Sequence, residues 1–132
     1  MRRVVFAVVI GLALVVTASA SATLDLGGKY TTKIAAPAQL KGTWGLSFTG
    51  YPKYVITQAG KVVVRGHYAT VGNHIQFNDD SGPLACKQFG AYTITLTKKT
   101  ISFKRQSDPC PGRSLVLGHR FTRASGLAGT GG

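Results

Sequence analysis

The chain has 132 residues, with 16 Lys and Arg against 4 acids, a formal charge of +12, and 44% hydrophobic but only 15% charged residues. That length fits one small domain, and the apolar content is too high for a disordered basic tail. All the acids are aspartates (Asp25, Asp79, Asp80 and Asp108), which excludes glutamate-dependent chemistry, and 2 cysteines are too few for a disulfide-rich miniprotein or a four-cysteine zinc site.

The first residues read as an address. Arg2-Arg3 precede an apolar run from Val4 to Val16, and small residues follow from Thr17 to Ala22. Basic start, apolar run and small-residue cleavage site define a secretory signal peptide over 1–22, cut after Ala22 or, as second choice, after Ala20. The run is short of the roughly 20 residues a membrane span needs, so a transmembrane protein is not expected. The expected location is outside the cell or on the exterior of its envelope. Oxidising surroundings then pair Cys86 with Cys110, a closure worth about 3 kcal/mol in the chain-entropy model.

The domain proper is expected over 23–125 and reads as strands with a period of two. Lys29 to Ile34 alternates, and Ala35 to Leu40 suits a single helical turn. Trp44, Leu46 and Phe48 share a face in the next run, then Tyr54 and Ile56. The segment from Val62 to Val71 alternates least cleanly; its inward set is read as Val62, Val64, Gly66 and Tyr68. Ile75 and Phe77, then Tyr92, Ile94 and Leu96, then Ile101 and Phe103 complete the regular runs. Turn residues at Gly50-Tyr51-Pro52, Ala59-Gly60, Gly72-Asn73 and Lys98-Lys99 separate them. Pro111 to Gly118 suits a helical turn, His119 to Arg123 a last short strand, and the Gly-rich tail 126–132 disorder.

About eight strands joined by short connections predict an all-β fold, an antiparallel up-and-down barrel closed first strand to last, with one disulfide. An open β-sandwich is the alternative. In a barrel of this topology alternate loops share an end, which places Cys86, Cys110, Trp44, Arg120 and Arg123 together.

Gly42-Thr43-Trp44, at the start of an early strand after a helical turn, resembles the G-x-W motif of the lipocalins, a calycin-type barrel family. The chain from about 28 to 123 is also similar to small secreted bacterial lipocalin-like proteins. In those, segments like Ser81-Gly82-Pro83…Cys86 and Asp108-Pro109-Cys110-Pro111-Gly112-Arg113 occur as paired loops. The resemblance implies that the Trp44 indole packs at the closed end of the barrel under an arginine, Arg123 or Arg120.

The opposite end is then the expected mouth. Phe48, Tyr51, Tyr54, Tyr68, Leu96 and Phe103 lie at or near it, with Lys98 and Lys99 on its rim. An apolar interior with a cationic rim suits a small apolar or amphipathic anionic ligand such as a fatty acid, whose hydrocarbon leaves water at about 25 cal/mol per Å². The alternative is a barrel whose inward side chains fill it. It would act through its basic surface on cell-envelope polyanions or a protein partner. Cations spread along the chain without a recognition motif argue against nucleic acid. No G-x-S-x-G or H-E-x-x-H pattern is present, and His67, His74 and His119 are scattered. No enzyme activity, metal or cofactor is expected, and a monomer is the expected state.

Overall fold

The computed structural model describes residues 25–124; the expected signal peptide and Gly-rich tail lie outside them. Eight strands follow in chain order: β1 (Gly28–Ile34), β2 (Gly42–Phe48), β3 (Lys53–Gln58), β4 (Lys61–Val71), β5 (His74–Ser81), β6 (Gly90–Leu96), β7 (Thr100–Ser107) and β8 (Phe121–Arg123). Each pairs antiparallel with the next, and β8 pairs back onto β1 to close the barrel. A 3₁₀ turn (Ala38–Leu40) precedes β2, and a short helix α1 (Pro111–Leu117) precedes β8. Closure leaves no free sheet edge, which removes the hazard an exposed strand carries.

The alternation read from the sequence sets the interior. Tyr30, Ile34, Trp44, Leu46, Phe48, Tyr54, Ile56, Val64, Tyr68, Ile75, Phe77, Tyr92, Ile94, Ile101, Phe103 and Phe121 are buried in one core, with Leu96 packed against it. Val62 corrects the inward set. Ile56 faces Val64 and Thr57 faces Val62, so Val63 is an extra residue at a bulge. A bulge breaks the period of two: Val63 and Val64 are both buried while Val62, 38% exposed, turns outward.

Alternate loops do share an end. The link from β1 to β2, the β3–β4 turn, the β5–β6 loop and the long β7–β8 connection with α1 meet at the Trp44 end. The three tight turns around Tyr51, Gly72 and Lys98 occupy the other, the Tyr51 end. Three register shifts interrupt the ladder, at Val63, at Asp80 (Arg65 faces Ser81, Gly66 faces Asp79) and at Gln106 (Ala91 faces Ser107, Tyr92 faces Arg105). All three lie toward the Trp44 end.

Candidate functional site

The residues expected to line a mouth hold one another instead. Phe48 meets Tyr68 edge to face with centroids 5.0 Å apart, Tyr54 meets Phe77 at 5.1 Å, and Phe77 meets Phe103 at 5.6 Å. Phe48, Tyr54, Tyr68 and Phe103 are buried, and Leu96 is half-buried. Such pairs add about 0.5–1.5 kcal/mol each beyond their burial. Tyr51 is exposed but rests its ring on Tyr68 at 5.3 Å. Lys98 and Lys99 are exposed at the β6–β7 turn.

Two side chains close this end further. Leu26, which the alternation did not single out, is 2% exposed, and its carbonyl accepts a hydrogen bond from the Tyr30 hydroxyl at 3.3 Å. Arg123 is the second, and its place corrects the reading that set it over Trp44. Its guanidinium lies 4.9 Å from the centroid of the Tyr30 ring, and its Nε and Nη1 donate to the carbonyls of Lys98 and Gly27, both at 3.1 Å. The reason is strand length: β8 has three residues and pairs Thr122 with Thr100, at the Tyr51 end of β7.

At the other end Trp44 behaves as a core residue, 2% exposed, with its Nε1 donating to the Leu40 carbonyl at 2.7 Å. Gly42 opens that strand at a φ of +129°, where a side chain is strained. Beside Trp44 lies a cavity of about 140 Å³, lined by Leu40, Trp44, Ile56, Val64, Leu84, Val116 and Leu117, with Asp79, Gly112 and Arg113 at its polar side. Its roof is α1 and the β5–β6 loop, and the Leu84 amide ties that loop to the bulge by donating to the Val63 carbonyl at 3.0 Å. Cys86 in the loop and Cys110 at the start of α1 are joined by the disulfide, with Cα atoms 6.3 Å apart.

Under the disulfide sits a buried charge cluster. Arg113 donates from Nε and Nη2 to the two carboxylate oxygens of Asp108, at 2.8 and 2.9 Å, and its Nη1 lies 3.3 Å from Asp79. Its Nη2 also donates to the Gln88 carbonyl. Asp79 accepts from the Tyr54 hydroxyl and from the Cys86 amide, the latter at 2.9 Å; Asp108 accepts from the Tyr92 hydroxyl and the Cys110 amide. The amides of both bridged cysteines are thus held by aspartates that one arginine links. Gly90 makes room, since a Cβ there would collide with the Asp108 carboxylate.

Burial alone would oppose ionisation of Asp108, but hydrogen bonds from Arg113, Tyr92 and the Cys110 amide hold its carboxyl below the usual range. Burial also works against the Arg113 charge, and the Asp108 hydrogen bond with the Asp79 field more than offsets it. Tyr54 and Tyr92 are pushed well above the ordinary phenol value, first by burial and then by their carboxylate acceptors. Two carboxylates surround one guanidinium here, so the cluster has no spare positive charge for an anion.

Sequence reasoning missed this cluster because Asp79 lies in a strand while Asp108 and Arg113 lie in a later loop and helix. Only the fold brings them together. Among the described residues no group of three or more His, Cys, Asp or Glu is gathered to hold a metal, and no helix is long and apolar enough to cross a membrane. The fold and site define an all-β, disulfide-bridged, closed eight-stranded barrel with a small cavity at its bulged end. No family model, no curated protein and no solved structure matches the chain.

Proposed function

We propose that the chain is an exported, lipocalin-like binding protein that takes a small, neutral, apolar molecule at its Trp44 end. The single observation that carries this reading is the cavity of about 140 Å³ between Trp44 and α1. A cavity of about 150 Å³ lined by aliphatic and aromatic side chains accepts benzene, so the fitting ligand is about one ring in size. A long acyl chain exceeds that space, and a carboxylate head would approach Asp79 and Asp108, whose two charges already outweigh that of Arg113. The reading therefore favours the neutral apolar member of the ligand class over a fatty acid. For a seven-atom aromatic hydrocarbon, a Kd on the order of 0.1–1 mM corresponds to about 4–5.5 kcal/mol, well inside the ceiling for small ligands.

Trp44 is the chain's single tryptophan and lines the cavity, so its emission reports occupancy. Titration with toluene is expected to give a saturable change, and octanoate none. Val116→Phe fills the cavity and should abolish the toluene response while leaving the melting temperature unchanged or higher. A flat titration, or a toluene response that survives Val116→Phe, would overturn the reading.

A further inference from the structure

The cavity explains the inside of the Trp44 end but not its outside. Leu84, Phe89 and Leu115 are 47%, 52% and 49% exposed there. Leu84 and Phe89 belong to the β5–β6 loop and Leu115 to the outer side of α1, the two segments that the disulfide joins. The link before the 3₁₀ turn adds Ala35-Ala36-Pro37, also exposed. The disulfide brings the segments that carry these apolar side chains to one end, and exposed apolar side chains brought together on one end are the mark of an interaction surface.

Cations outnumber acids around this patch. Lys33, Lys41, Lys61, Lys87 and Arg120 are exposed at or beside the same end. Two of the chain's acids, Asp79 and Asp108, are buried against Arg113. Exposed Asp80, near the Trp44 end of β5, lies 3.0 Å from the His67 ring, and Asp25 lies at the Tyr51 end. Burying Asp79 and Asp108 leaves Asp80, among the described residues, as the exposed acid facing the cations of this end.

We infer that the Trp44 end is a docking surface for an anionic lipid bilayer. A bilayer asks for large apolar side chains that enter the boundary between headgroups and acyl chains, ringed by cations that meet anionic headgroups. It needs no shaped groove, and a soluble polyanion would use the cations and ignore the apolar tips. At the Tyr51 end exposed Tyr51 and Val71 stand on separate turns, each tight and without a linked neighbouring loop, although Lys53, Lys98 and Lys99 are exposed there as well. Each cation near such a surface contributes about a fivefold gain in affinity, reduced by salt.

The test is vesicle sedimentation of the full chain. The probes are phosphatidylglycerol–phosphatidylcholine vesicles, pure phosphatidylcholine vesicles and soluble polyphosphate. The chain is expected to pellet with the anionic vesicles at 50 mM salt, to release at 500 mM and to ignore pure phosphatidylcholine. Phe89→Gln with Leu115→Gln should weaken anionic-vesicle binding at least tenfold and leave polyphosphate binding unchanged. Tyr51→Gln with Val71→Gln, at the other end, should change neither. As a readout independent of that double variant, Leu115→Trp emission should shift to the blue on adding anionic vesicles. Absence of vesicle binding would overturn the inference. So would vesicle binding that tracks charge alone and is indifferent to Phe89 and Leu115, which would assign the surface to soluble polyanions. Val116→Phe should still bind vesicles, so failure of the cavity reading and failure of this one are separable.

Discussion

The two ends of the barrel solve the same problem differently. At the Tyr51 end the ladders run unbroken into tight turns, and inward aromatic rings meet edge to face. At the Trp44 end three register shifts interrupt the ladders, long connections cross the opening, and the interior is finished by a disulfide, a charge cluster and an aliphatic roof. Regular alternation produces a filled interior, because every second residue delivers a large side chain to the same axis. The cavity lies where the alternation is broken, and bulges are common at barrel rims, where they re-aim side chains.

The largest expected effect breaks the bulged end. Arg113→Met removes the only cation between two buried carboxylates and should cost about 3–5 kcal/mol in urea denaturation, the range for leaving a buried charge without its partner. Trp44→Ala, at the same end, should cost a similar ~3–5 kcal/mol through the void it leaves. Replacing Cys86 and Cys110 together by Ser should lower stability by about 3 kcal/mol; the charge cluster still ties the loop to α1, so the double variant should fold. If it unfolds outright, the covalent link outweighs the ionic one.

Acid sharpens the comparison. Asp108 ionises below its ordinary value of 3.8 in the folded protein, so its contribution is complete above that value and is lost as pH falls through the lower folded pKa. The urea midpoint should therefore decline below about pH 4, and Asp108→Asn should flatten that decline. The smallest effect belongs to the Tyr51 end. Arg123→Ala removes a partly exposed cation–π contact with Tyr30 and should cost about 0.5–1 kcal/mol. A loss there as large as that of Arg113→Met would erase the distinction between the ends.

What the sequence made legible follows the same division. Alternation identified the strands, their order and nearly all inward residues, because each strand's period is local information. The expectation of export, with two cysteines to pair, anticipated the Cys86–Cys110 bridge, and the helical turn ending at Gly118 is marked by its Pro and Gly. Val62 was misplaced because three consecutive valines carry no alternation, and only pairing with β3 shows which one is extra. Arg123 was misplaced because the height of a three-residue strand on the barrel depends on its neighbours' register. Asp79, Asp108 and Arg113 come from separate elements, and no local spacing signals that they meet.

The central claim, that the interior is filled at the Tyr51 end and open to a small apolar guest at the Trp44 end, is tested most directly by xenon. A crystal of the protein under xenon pressure should show one interior site, between Trp44, Val116 and Leu117, and none in a Val116→Phe crystal. Xenon among Phe48, Tyr68 and Phe103, or no interior xenon in the unaltered protein, would contradict it.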